Sequence, residues 1–306
     1  MSFTGLLSRM LVLLALICVG VLCSKLNFID EKGSASINKL VLYVCGPLMI
    51  IHSVQNVQLD YGVSDILMIL LYSVVFILGS MAIGVVFGRL ICGKKPIRGV
   101  FSLVAGFGNI FFMGVPVVSA LYGDSAIFLL SVCVMPFNLF VFTFGIYLIL
   151  SGKQKIPWKR IILNPSLYAT ILALAMFFLR VELPGTVSEI IGFLSQMVVP
   201  LSMILIGAAL GRMSVRAIFG NGLSYAVCAV KLIVAPLVIF AIFRLFVKDM
   251  LMLGIFTIIA AMPSASISPI LCAEYGGDSE FASRTVFLTT VLSLATIPAM
   301  TWLLLL

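Results

Sequence analysis

Residues 106–118 read GFGNIFFMGVPVV. Gly106, Gly108, Asn109, Gly114 and Pro116 interrupt a run that is apolar on both sides. A helix broken there leaves backbone N–H and C=O groups unpaired. In hydrocarbon each such group costs several kcal/mol, so a break survives only where protein buries it or where it lines a cavity. Composition makes hydrocarbon the setting. The chain has 306 residues, 62% hydrophobic and 10% charged, with a mean hydropathy of +1.27. That is too little charge to cover a water-facing surface, so the sequence predicts an all-α polytopic membrane protein.

Apolar stretches of about 20 residues mark spanning helices. They fall at 5–24, 36–55, 65–91, 98–122, 126–150, 162–180, 187–210, 217–246, 250–275 and 282–305, ten in all, joined by short loops. In the first, Arg9 is the only basic residue ahead of the apolar run and no A-x-A-like cleavage site follows, so it reads as a span rather than a signal peptide. The cysteines, Cys18, Cys23, Cys45, Cys92, Cys133, Cys228 and Cys272, form no CxxC pair and read as small apolar core residues. The longest polar connector, 151–165, sits near the midpoint.

The two halves resemble each other. At an offset of 153 residues, Pro116, Ala120, Tyr122 and Gly123 lie over Pro269, Ala273, Tyr275 and Gly276. The same offset pairs Pro47 with Pro200 and Tyr72 with Tyr225. Residues 1–150 therefore read as a first five-helix repeat and 151–306 as a second. An odd number of spans in each makes the second inverted, an architecture that recurs in secondary transporters. Basic residues set the orientation. Lys25, Lys32, Lys39, Arg89, Lys94, Lys95, Arg98, Lys153, Lys155, Lys159, Arg160, Arg212, Arg216 and Arg284 follow the odd-numbered spans, against Arg9, Arg180, Arg244 and Lys248 on the other side. The excess belongs in the cytoplasm, with both termini outside. The net charge of +8 thus follows from topology and carries no implication of a nucleic-acid partner.

Pro116 lacks a backbone N–H and suits the first turn of a new helix, so the fourth span reads as two half-helices with the second starting near Pro116. Gly114, with Gly106 and Gly108, permits unwinding and close approach. The ninth span carries Pro263 and Pro269 around Ser264, Ser266 and Ser268. Two breaks at matching places in inverted repeats point to a substrate site near the midplane. Half-helix N-termini favour an anion there, and Asn109 and the three serines add side-chain donors and acceptors. Lys231, inside the eighth span, is by default a functional residue. It either attracts a carboxylate or caps the carbonyls of a broken helix. His52, near the outer end of the second span, either accepts a coupling proton or is an interfacial residue.

No carboxylate falls at mid-membrane: Asp60, Asp65, Asp124, Glu182, Glu189, Asp249, Glu274, Asp278 and Glu280 map to loops or span ends. Cation exporters need buried carboxylates, and this chain offers a lysine instead. There is no Walker loop, HExxH or GxSxG, and one histidine cannot serve a protease constellation. The chain does not read as an enzyme.

The stretch GNIFFMGVPVVSALYGD (108–124), with VVPLSMILIGAALG (198–211), KLIVAP (231–236) and the run 262–300, resembles the auxin efflux carrier family. That family holds plant PIN carriers and bacterial permeases, many assigned to malate or malonate. The resemblance implies a ten-helix, bile-acid-symporter-like inverted repeat. Spans 1, 2, 6 and 7 would form a scaffold bundle, and spans 3–5 and 8–10 a transport bundle whose crossing fourth and ninth helices hold a carboxylate. Homodimers through the scaffold are also implied. One departure stands out: relatives commonly carry MPxATN in the ninth span, and here Ile267 occupies the asparagine's place.

The sequence thus predicts a secondary transporter that moves a small organic anion, a mono- or dicarboxylate, across a bacterial cytoplasmic membrane. It needs no cofactor beyond a coupling H+ or Na+. A membrane sensor or scaffold that binds a ligand without moving it is the alternative.

Overall fold

The computed structural model describes residues 3–55, 62–93, 97–123, 125–150, 165–212 and 222–305. Lys94, Lys95, Asp60, Asp124, Arg216, most of the connector 151–165 and the first residues of the predicted eighth span lie outside them. The described residues are helical throughout, with one isolated backbone bridge. In chain order the helices are α1 (Phe3–Lys25), α2 (Glu31–Ser53), α3 (Val63–Cys92), α4 (Arg98–Gly106), α5 (Ile110–Tyr122) and α6 (Ala126–Leu150). After the connector come α7 (Pro165–Leu179), α8 (Gly185–Ala209), α9 (Gly222–Phe243), α10 (Met250–Ala261), α11 (Ser268–Tyr275) and α12 (Ser279–Leu305). Among the described residues six helices, α2, α3, α6, α8, α9 and α12, are each long and apolar enough to cross a bilayer alone. Their outer faces expose large apolar side chains such as Leu90 (73%) and Leu303 (59%), which suits lipid and would be costly in water.

Four aspartates cap helix starts. Asp30 accepts from the Gly33 amide at 2.6 Å, Asp65 from Gly62 at 2.7 Å, Asp249 from Leu251 at 2.8 Å and Asp278 from Phe281 at 2.9 Å. Each satisfies amides that a helix start leaves bare. The acids at span ends therefore have a local structural role.

Prolines shape the long helices. Wide π-turns at 41–45, 110–114 and 230–234 each end two residues before a proline, Pro47, Pro116 and Pro236. A proline cannot donate and its ring crowds the carbonyl four residues back, so a widened turn accommodates it within a continuing helix. In the second half-helix of the fourth span the α-helical part begins at Val115 with Pro116 in its first turn, as the sequence suggests, and the π-turn Ile110–Gly114 extends it backward.

Close packing relies on small residues where backbones meet, as expected when apolar burial cannot drive association in lipid. A Cβ on Gly20 of α1 would overlap the Ile204 carbonyl of α8, and one on Gly207 would overlap the Ile17 carbonyl. In the same way Gly84 of α3 admits the backbone of α4 at Ser102 and Gly106. Helix α2 packs against α7 and α8, α3 against α4 and α6, and α9 against α12.

Candidate functional site

The two interruptions meet. Between α4 and α5, Phe107 is extended, with φ −104° and ψ 128°. Gly108 pairs antiparallel with Ser264, in the gap between α10 and α11. The Asn109 amide donates to the Pro263 carbonyl at 2.7 Å, and the Ala265 amide to the Phe107 carbonyl at 3.0 Å. Each break thus satisfies backbone groups of the other, which removes part of the cost of unwinding inside an apolar body. Side chains complete the knot. Ser264 Oγ donates to the Val104 carbonyl at 2.7 Å, and its amide to Thr289 Oγ1 of α12 at 3.2 Å.

Asn109 caps α5, its Oδ1 accepting from the Phe112 amide at 3.3 Å. Its carbonyl takes the Gly114 amide at 3.0 Å, the bond that closes the widened turn ahead of Pro116. Asn109 is itself 5% exposed and lines a cavity of about 710 Å³. The cavity lies between the crossing, α2, α6 and the start of α7. Its walls are aromatic and aliphatic, including Phe111, Phe112, Phe137 and Phe142, with polar groups from Asn38, Tyr43, Asn109, Asn138 and Ser266. Among the described residues no lysine, arginine or carboxylate lines it. An apolar pocket with a few convergent polar groups is the usual form of a small-molecule site.

Of the residues singled out by sequence, Gly108, Asn109, Ser266 and Ile267 line this cavity. Pro263 and Ser264 lie in the crossing itself, with their polar groups committed as described. Ser268 is buried behind it, its hydroxyl without a hydrogen-bond partner. Gly114 and Pro116 are buried within α5 and do not line the cavity. Lys231 is 1% exposed in the π-turn of α9, its Nζ donating to the Ala260 carbonyl at 3.4 Å. His52 lies elsewhere, in a second cavity of about 180 Å³ with Ser53, Ser119, Ser195 and Gln196, its Nε2 close to Gly192. Sequence reasoning missed Asn38, Tyr43 and Asn138. Asn138, two residues after Pro136 in an apolar span, carried the same signal as Asn109. Asn38 sits in the polar first turns of α2, where an asparagine gives no contrast. Among the described residues no group of histidine, cysteine and carboxylate side chains could hold a metal.

A family model described as membrane transport protein matches residues 6–157 and 153–301 of this chain. An uncharacterized transporter of Methanothermobacter thermautotrophicus is 27% identical, over 97% of this chain and 98% of its own length. One of Methanocaldococcus jannaschii is 25% identical, over 96% and 97%. A putative malonate transporter of Rhizobium meliloti is 23% identical, over 94% and 92%.

Proposed function

Because this chain belongs to the membrane transport protein family, we propose that it is a secondary transporter of small organic anions, mono- or dicarboxylates, working by alternating access. It is a multi-pass membrane transporter, and its role is transport rather than catalysis. In the finer reading α4 with α5, and α10 with α11, each make one interrupted crossing, giving ten crossings in two inverted sets of five. Helices α1, α2, α7 and α8 are the scaffold, through which two copies pair, and the others carry the crossing. The basic loops face the cytoplasm, across a bacterial cytoplasmic membrane.

The observation that carries this reading is the cavity at the crossing of the two breaks, with Asn109 and Ser266 on its wall. The first turn of α5 and the approach to α11 direct the positive ends of two half-helices toward it. Part of the exposed backbone is already satisfied within the crossing, so recognition falls to side-chain amides and hydroxyls together with the helix-end field. Asn109 and Ser266 contact the acid. Gly114, Pro116, Pro263, Ser264 and Ser268 shape the breaks that hold those two in place. His52, in its separate polar cavity between α2 and α8, is the candidate acceptor of a coupling proton.

Purified protein in proteoliposomes, given labelled malonate, tests the reading; the acid is chosen because one relative bears that name. Wild-type vesicles should accumulate label above protein-free vesicles, and Asn109→Ala should abolish the excess without loss of folded protein. Wild-type rates in that variant would remove the site from the crossing. Binding of the acid with no accumulation in any vesicle would favour a sensor.

A further inference from the structure

Lys231 is a buried charge that the cavity does not touch. Its ammonium makes one long hydrogen bond, 3.4 Å to the Ala260 carbonyl at the end of α10. No carboxylate among the described residues pairs with it; the ion pair present there joins Arg284 to Glu280 at 2.6 Å. A buried ammonium with a single weak acceptor is far from compensated. Gly108 shows where its field is directed. A Cβ built on Gly108 would stand 3.1 Å from Lys231 Nζ and 3.3 Å from the Ile259 carbonyl, so the side-chain face of this glycine looks at the ammonium. The Gly108 backbone also lines the cavity. One strand of main chain therefore separates the charge from the space where a ligand would sit.

We infer that Lys231 is a fixed positive charge that selects anionic substrate through the Gly108 wall, without contact. The inference rests on the anion site proposed above and names what that site reads: net charge as well as shape. A contact residue would discriminate by hydrogen-bond geometry. A charge behind a wall acts by Coulomb attraction, strengthened by the low dielectric and scaled by the charge of the guest. Dianions should gain more than monoanions of the same outline. A glycine at 108 fits this arrangement, since a side chain there would press on the ammonium.

The competing role for Lys231 is a cap for the carbonyl end of α10. Calorimetric binding to purified protein separates the two, with malonate as the dianion and malonamate as a monoanion of nearly the same shape. Lys231→Met should weaken malonate on the order of tenfold or more and malonamate distinctly less. The ligand-free Met variant should melt at or above the wild-type temperature, because an uncompensated buried charge has been removed. Equal losses for the two acids, or a lower melting temperature of the ligand-free variant, would overturn the inference and leave Lys231 as a cap. If the wild type binds neither acid, the anion site fails as well, an outcome distinct from wild-type binding with equal losses.

Discussion

The break between α4 and α5 takes three residues, 107–109, whereas the break between α10 and α11 takes six, 262–267. In the shorter one Asn109 caps the helix that follows, with its own side chain on the Phe112 amide. In the longer one Ile267 stands at the equivalent place before α11 and offers no side-chain cap. That break is held from outside: by Thr289 of α12 on the Ser264 amide and by the Val104 carbonyl of α4 on the Ser264 hydroxyl. One interruption is largely written in its own residues. The other depends on neighbours, so it is the one that a shift of α4 or α12 can loosen.

Substitutions can break or sharpen this contrast. The largest effect belongs to Asn109→Ala, which removes the cap, about 1 kcal/mol of stability, and the amide on the cavity wall. Uptake of labelled malonate should fall at least a hundredfold while thermal unfolding shifts by only a few degrees. Next comes Thr289→Val, which keeps the shape but leaves the buried Ser264 amide without its acceptor, at a cost of about 1–3 kcal/mol. Hydrogen exchange should rise over 262–267 and stay unchanged over 107–109; equal loss of protection in both would deny that they are held differently. Ser266→Ala deletes one hydroxyl at the cavity wall, about 1 kcal/mol at most, and should weaken malonate binding about threefold to fivefold by calorimetry. The smallest change is expected from Ile267→Asn, which gives the second break a cap of its own. Its ligand-free melting temperature should rise by one or two degrees, and no rise would mean that this break gains nothing from a local acceptor.

Much of this was legible in the sequence, for uneven reasons. Helices appear over every apolar stretch because apolar length alone marks them. The breaks were readable because glycine, asparagine and proline in an apolar run have few other uses. Pro116 marked the α-helical start at Val115, but the π-turn ahead of it was not readable, since such a turn leaves no residue signature beyond the proline itself. The backbone pairing of Gly108 with Ser264 was hidden as well, since an antiparallel contact between two irregular segments has no periodicity. Lys231 announced itself by its charge, yet its relation to Gly108 depends on a crossing of α9 behind α4 that no spacing encodes. Asn38 became part of the cavity only through the packing of α2 against the crossing.

The central claim is that an anion sits at the crossing of two interrupted helices. An experimental structure of the protein in a lipid nanodisc with malonate, or with whichever carboxylate most raises its melting temperature, tests it most directly. The account predicts ligand density bordered by Asn109 and Ser266, with the Gly108–Ser264 pairing intact beneath it. Unbroken helices across 98–122 and 250–275, or a ligand bound away from the crossing, would contradict it.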